Sequence, residues 1–166
     1  MFKDRVMVDI ETLGTSNNAT IISVGAVKFG IEGLGKEFLM NINFDNSRDI
    51  DADTVKWWLQ QDISAKADLF KDGSYPLAQV LDEFGAFVVD SEIWGNGSDF
   101  DNVILADAFK QQGLKWNHRA NRCYRTLKSL APGIELKRIG THHNALDDAK
   151  SQALHAIEIL KHLQGV

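Results

Sequence analysis

Three short segments of this chain carry the side chains whose types and spacing could do chemistry. They place acidic residues and a histidine in Asp9-Ile10-Glu11-Thr12, in Asn96-Gly97-Ser98-Asp99-Phe100-Asp101 and in His143-Asn144-Ala145-Leu146-Asp147-Asp148. Sites for hard divalent cations are built from carboxylates that distant parts of a chain bring together. Each segment alone is weak evidence, but in this order the three indicate metal-dependent cleavage of a phosphodiester bond.

The first segment lies at the end of an apolar run. Asp9 and Glu11 are two residues apart, so in a strand both side chains point to the same face. Two adjacent carboxylates resist joint ionisation unless a cation lies between them. A strand that simply runs out into solvent would also carry acids, and for this pair alone the two interpretations are about equal.

The second segment follows a Gly-Asn-Gly-Ser turn and opens a helical pattern at Asp101. The helix dipole favours an acid in the first turn, which is a sufficient structural reason for Asp101. Asp99 is a competing ligand candidate and also a plausible cap. The residues of this segment alone leave both aspartates open.

The third segment doubles both of its reactive residues. His142-His143 and Asp147-Asp148 allow two registers of the same five-residue spacing. If the long helix begins near Asn144, a loop histidine and an aspartate of the first two turns can face one cavity. A capping histidine and a solvated aspartate would explain either residue alone.

Together, four carboxylates could hold two Mg²⁺ or Mn²⁺ ions roughly 3.5–4 Å apart, with a neutral imidazole as general base. Other chemistries have little support. Cys123 is the single cysteine, and the sequence contains neither a GxSxG nucleophile motif nor a GxxxxGK[ST] phosphate loop.

The elements that must position these residues follow from hydrophobic periodicity. β-branched and apolar runs predict a meander of three strands over 5–10, 20–29 and 37–42, with turn glycines from Gly30 to Gly35. Helical spacing then predicts a helix that begins at an N-cap, Asp53, and further helices over 76–90, 101–112 and 144–163. Ile93-Trp94 is predicted as a short strand between two of these helices. Strands followed by helices and further short strands indicate an α/β fold with a mixed sheet.

Length and composition add broad limits. The 166 residues fit one domain spanning 1–166, and no segment has the apolar length of a membrane span. The charged start, Met1 to Arg5, does not resemble a secretory signal, and the lone cysteine fits a reducing compartment, so we expect a cytoplasmic protein. A net charge of −5 argues against a protein that coats long nucleic acid. Two bound Mg²⁺ would bring that charge to about −1.

The three segments resemble the motifs of the DEDDh subclass of the DnaQ-like 3′-to-5′ exonucleases. The second family motif is usually an Asn followed shortly by Phe-Asp, which selects Asp101 over Asp99. The Ala145-Leu146 pair of the third motif selects His143 and Asp148. A histidine where the sister subclass has tyrosine makes this the DEDDh type. The similarity extends over residues 5 to about 160.

The resemblance implies an RNase H-like fold with a mixed five-stranded sheet, an antiparallel meander followed by parallel strands, flanked by helices. It also implies two Mg²⁺ or Mn²⁺ ions held by Asp9, Glu11, Asp101 and Asp148, with His143 as general base. The expected reaction releases nucleoside 5′-monophosphates from single-stranded 3′ ends. Trp57-Trp58 and the segment from Arg122 to Leu127 look most like small single-domain phage and bacterial exonucleases.

The same resemblance gives candidates for substrate contact. The turn Thr12-Leu13-Gly14 would meet the terminal nucleotide, with Leu13 as an apolar wedge, while Trp57 could stack on a base and Arg125 could contact phosphate. The sequence leaves open DNA against RNA, an oligoribonuclease-type or RNA-trimming enzyme, a catalytically weak binding module, and a homo-oligomer.

Overall fold

The structure, a computed structural model, describes residues 4–70 and 74–165. Within those residues the chain forms five strands: β1 (Asp4–Thr12), β2 (Ile21–Gly30), β3 (Gly33–Asn41), β4 (Ser91–Gly95) and β5 (Asn121–Cys123). The same residues form six α-helices: α1 (Ala52–Gln60), α2 (Ile63–Lys66), α3 (Leu77–Phe87), α4 (Asp101–Gln111), α5 (Tyr124–Ser129) and α6 (Ala145–Gln164). The first three residues of the charged start lie outside the described ranges.

The strands form one mixed sheet in the order β3-β2-β1-β4-β5. β1 and β2 pair antiparallel, as do β2 and β3, whereas β4 runs parallel to β1 and β5 runs parallel to β4. β1 is therefore the central strand, paired on both edges. This confirms the predicted α/β fold with an antiparallel meander and then parallel strands.

The two faces of β1 have different neighbours. Val6 and Val8 belong to the core that includes α3 and α4, whereas Met7 belongs to the core on the side of α5 and α6. Alternation along the strand continues this pattern, so Asp9 and Glu11 lie on the Met7 face. The acidic pair thus replaces the apolar core where β1 approaches the start of α6.

Some predicted boundaries were wrong. The β2–β3 turn contains only residues 31–32, because Gly33 already begins β3 instead of serving as a turn residue. The first helix is capped by Asp51, whose carboxylate accepts the Asp53 N–H, so Asp53 lies inside the helix. Among the described residues, no helix combines the length and apolarity that a membrane crossing requires.

Candidate active site

Three of the predicted ligands meet at one point on the sheet. Asp9, Glu11 and Asp148 each offer a carboxylate oxygen, and these oxygens all lie within 4.8 Å of one another. Glu11 and Asp148 are buried at 7% exposure each, although buried carboxylates without a partner cost free energy. Asp148, 137 positions after Glu11 in sequence, therefore joins the two acids of β1 in one acidic cluster.

A glycine in β2 allows α6 to approach this point. Gly25 pairs with Asp9 across the β1–β2 ladder, and a Cβ atom at Gly25 would overlap the backbone of Ala145 and Leu146. The first turn of α6 therefore lies directly on the sheet. Asn144 caps the helix by accepting the N–H groups of Leu146 and Asp147. This cap fixes the helical register that directs Asp148 to the cluster.

Asp101 reaches the same region from the opposite side of the sheet. It is the first residue of α4, and its Oδ1 accepts the backbone N–H of Ile10 at 3.3 Å. A Cβ at Gly95 would overlap the side chain of Asn102, so a glycine at the end of β4 allows α4 to start this close. Asp101 is not one of the three acids within 4.8 Å, but its charge raises the pKa of both Asp9 and Glu11.

Burial and mutual repulsion oppose ionisation of the cluster. Burial, followed by the charges of Asp9, Asp148 and Asp101, raises the pKa of Glu11 from 4.5 to about 10. Burial also raises the pKa of Asp9 well above 3.8, with Asp101 and Asp148 adding to it, and burial raises that of Asp101 to about 7. Oxygen donors that repel one another in this way are the donor set that Mg²⁺ and Mn²⁺ take, so the residues fit divalent cations.

Two further side chains, which the motifs do not include, hold the cluster. Gln152 donates from Nε2 to Asp9 Oδ1 at 2.9 Å, and Arg138 donates from Nη1 to Asp148 Oδ1 at 2.7 Å. The sequence analysis overlooked Gln152, although its position four residues after Asp148 places it on the same helix face. Arg138 pairs with a predicted metal ligand, a contact that its sequence context does not reveal.

His143 lies just outside the acidic cluster, in the turn before α6. Its φ of +65° is left-handed, and its backbone N–H donates to Asp148 Oδ2 at 3.0 Å. The imidazole packs edge-on against Trp57, with ring centroids 4.8 Å apart. Burial and the neighbouring His142 lower the pKa of His143, against an opposing effect of Asp148, and this favours the neutral imidazole.

The doubled residues separate clearly. Asp147 turns away from the cluster, because its Oδ2 accepts the N–H of Thr141 at 2.7 Å. His142 is exposed and stacks on His143, and Asp99 is exposed at the turn before α4. The aspartate that the family motif selects, Asp148, therefore lies inside the acidic cluster, and Asp147 lies outside it.

The substrate-contact candidates differ in exposure. Trp57 is 39% exposed, whereas Trp58 is buried and donates from Nε1 to the carbonyl of Thr12. Arg125 is exposed and donates to the Asn96 carbonyl.

The turn after β1 is tightly held, because the Thr12 hydroxyl donates to the Gly14 carbonyl at 2.7 Å. The Leu13 side chain is only 4% exposed and packs with Ile22, Trp58 and Leu69. To act as a wedge between bases, Leu13 would have to leave this core cluster.

The chain that forms this site also matches one family model. The description of that model is the 3′-5′ exoribonuclease Rv2179c-like domain, and it matches residues 4–160. The chain belongs to this family. Its membership confirms the activity predicted from the motifs, which is that of a 3′-5′ exonuclease. A comparison with curated protein sequences gave no match.

Several solved structures share the fold of this chain. The nuclease domain of 3′hExo, a DEDDh family member bound to rAMP, has a TM-score of 0.69 at 16% identity over 97% of this chain and 93% of that one. S. pombe Pop2p, in a form with Mg²⁺ and Mn²⁺ bound, has a TM-score of 0.65 at 16% identity, with coverages of 94% and 82%.

E. coli exonuclease I, in a zinc-bound complex with single-stranded DNA, has a TM-score of 0.70 at 16% identity over 99% of this chain. The chain spans 42% of that protein. These likenesses confirm the RNase H-like fold that the DEDDh resemblance implied.

Proposed function

We propose that this Rv2179c-like domain removes nucleotides from the 3′ end of single-stranded RNA and releases nucleoside 5′-monophosphates. Asp9, Glu11, Asp101 and Asp148 hold two Mg²⁺ or Mn²⁺ ions, and His143 is the general base. We also propose that residues 1–166 act as one exonuclease domain in the cytoplasm. The description of the family, an exoribonuclease, favours RNA over DNA.

The observation that carries this proposal is the convergence of Asp9, Glu11 and Asp148 within 4.8 Å. Buried acids with raised pKa values destabilise the metal-free fold, and divalent cations would relieve their repulsion. Bound at this point, the cations would supply positive charge for activating water and for stabilising the departing 3′-oxygen.

The residues of the chain provide the remaining parts of the reaction. A ring nitrogen of His143 accepts a proton from the attacking water, which requires the neutral imidazole that its lowered pKa supplies. The backbone N–H of His143 donates to Asp148, and this hydrogen bond keeps the base next to the acidic cluster. Gln152 orients Asp9, since its amide donates to one of the two carboxylate oxygens.

The substrate contacts come from the surface around the acidic cluster. The exposed indole of Trp57 can stack on a base beside His143, and the exposed guanidinium of Arg125 can bind a phosphate close to Asp101. The turn of Thr12, Leu13 and Gly14 follows the acidic pair directly in β1, so its backbone would meet the terminal nucleotide. The chain needs no long basic surface, because a 3′ end is a short target.

The test is digestion of single-stranded RNA and DNA of matched sequence, each labelled at either end, with and without Mn²⁺. We expect Mn²⁺-dependent release of 5′-monophosphates from the 3′ end, faster on RNA. Equal rates on DNA would limit the proposal to exonuclease chemistry without a preference for RNA. Binding without release in any metal would instead identify a binding module.

A further inference from the structure

A second group of possible metal ligands adjoins the acidic cluster. Nitrogen atoms of His142 and His143 and a carboxylate oxygen of Asp148 all lie within 4.8 Å of one another. The second group shares Asp148 with the acidic cluster but differs in its donors, which are two imidazole nitrogens and one oxygen. The proposed function uses His143 and Asp148 and leaves His142 without a role.

The donor set selects a different kind of cation from the one that the acids take. Mg²⁺ prefers oxygen ligands, whereas two imidazoles and one carboxylate are a ligand set typical of Zn²⁺. In a tetrahedral zinc site with Zn–N distances of about 2.0–2.1 Å, two ligand nitrogens are about 3.4 Å apart. The ligand nitrogens of His142 and His143 lie within 4.8 Å of one another, so a turn of one ring can bring them to that separation.

The geometry permits closure around an ion. The two rings are stacked and tilted by 23°, so one of them has to turn before both direct a lone pair at the same ion. His142 is exposed and can turn, while the packing of His143 against Trp57 holds the other ring. Asp148 Oδ2 accepts one N–H from His143, and a carboxylate oxygen has a second lone pair for a metal.

The histidine pair is open to solvent from the side of α2. A cavity of 320 Å³ is lined by Asp62, Ser64, Thr141 and both histidines. The imidazoles are therefore accessible to an ion from solvent. Asp62 on the same cavity wall is a further carboxylate from outside the turn.

We propose that His142, His143 and Asp148 form an inhibitory site for Zn²⁺. A zinc ion here engages the lone pair with which His143 would accept a proton, and it draws Asp148 away from the acidic cluster. The inhibition rests on the proposed function, in which both residues act, whereas zinc binding itself does not depend on it.

The first experiment measures binding without activity. Calorimetry with Zn²⁺, and visible absorption of Co²⁺ as a spectroscopic substitute, are recorded on the Glu11→Gln protein, in which the acidic cluster is weakened. We expect the absorption of a tetrahedral Co²⁺ site, and an additional His142→Ala change should lower Zn²⁺ affinity at least about tenfold. His118→Ala, at another exposed histidine, is the matched control and should leave the affinity unchanged.

The second experiment measures RNA digestion at saturating Mg²⁺ while Zn²⁺ is added. We expect wild type and His118→Ala to be inhibited at the same low concentration, and His142→Ala to need at least about tenfold more Zn²⁺. Equal inhibition of all three, together with Zn²⁺ affinity independent of His142, would overturn the site. Zinc binding that depends on His142 in a protein without nuclease activity would uphold the metal site and refute the proposed function instead.

Discussion

The acidic cluster and the turn that carries His143 lie side by side but are built in different ways. Asp9 and Glu11 lie within the central strand, and Asp148 lies in the first turns of a helix packed on that strand. His143 lies in a turn, with a left-handed backbone whose N–H donates to Asp148. Its half-buried ring packs against the edge of Trp57 and stacks on His142.

This difference reflects what each region has to do. Acids that repel one another stay together only if rigid elements fix them, since otherwise the chain would move them apart. A base must instead meet a water molecule and a substrate that arrive from solvent, and a turn at the surface allows that. The two regions should therefore respond differently to substitution.

The largest effect is expected from the acidic cluster. Asp9→Asn should reduce RNA hydrolysis at least about 10⁴-fold, because loss of bound cations removes several kcal/mol of stabilisation from the transition state. The metal-free variant should melt at the same temperature as wild type or higher, since one of the repelling charges is gone. Asp99→Asn, at an exposed acid outside the cluster, should change neither quantity. A large fall in the melting temperature of Asp9→Asn would show that Asp9 is mainly structural.

The turn should give a loss of rate without a loss of metal. His143→Ala should slow hydrolysis by roughly 10²–10⁴-fold, the usual contribution of general acid–base catalysis, while Mn²⁺ affinity measured by calorimetry stays nearly unchanged. His142→Ala is the matched control and should have little effect in Mg²⁺ alone. Equal losses in the two variants at one pH would refute the assignment of His143 as the base.

An intermediate effect is expected where α6 supports the cluster. Gln152→Met removes the amide that donates to Asp9 while keeping the length of the side chain. Mn²⁺ affinity should fall by roughly 10–100-fold, as is usual when a group that orients a metal ligand is lost. Unchanged affinity would mean that β1 alone orients Asp9.

The close packing of α6 on the sheet can be tested through its glycine. Gly25→Ala forces a methyl group into the backbone of Ala145 and Leu146 and should cost about 3 kcal/mol, which lowers the melting temperature by roughly 6–12 °C. Gly30→Ala, in the same strand with open space around the new methyl group, should have little effect. Similar melting temperatures for the two variants would contradict the close approach of α6.

A further effect is a dependence of the stability of the metal-free protein on pH. Glu11 has a pKa of about 10 in the fold against 4.5 in the unfolded chain, so the fold retains a proton that the unfolded chain releases. The contribution to stability is fully present below about pH 4.5 and is lost as the pH rises towards about 10. In EDTA, the melting temperature should therefore fall between about pH 5 and about pH 9.

The Glu11→Gln variant should show a shallower fall, by roughly 2–4 °C for each kcal/mol of repulsion removed. Glu32→Gln, at an exposed acid in the β2–β3 turn, is the control and should follow wild type. A metal-free protein whose stability rises over this range would indicate that the acids are ionised and compensated within the fold.

Hydrophobic periodicity was sufficient to predict the central strands and the longest helices, because β1, β2, α4 and α6 each bury a regular pattern of apolar residues. It could not predict α2, α5 or the three-residue β5, which are too short to show a period and form through tertiary packing. The period of two also placed Asp9 and Glu11 on one face.

The supporting contacts of the acidic cluster were not predictable in the same way. Gln152 and Arg138 belong to none of the three sequence motifs. Their hydrogen bonds to Asp9 and Asp148 depend on how α6 and the preceding loop lie against β1. The close approach at Gly25 is equally hidden, since a glycine within a strand gives no indication of which helix packs on it.

The most direct test of the central claim is a crystal structure with Mn²⁺ and a nucleoside 5′-monophosphate, with the ions located by anomalous scattering. We predict two Mn²⁺ ions between Asp9, Glu11, Asp101 and Asp148, with the guanidinium of Arg138 displaced from Asp148 and Asp147 still bound to the Thr141 N–H. Ions held by Asp99 or Asp147 instead, or acids of the cluster without any ion, would contradict the account.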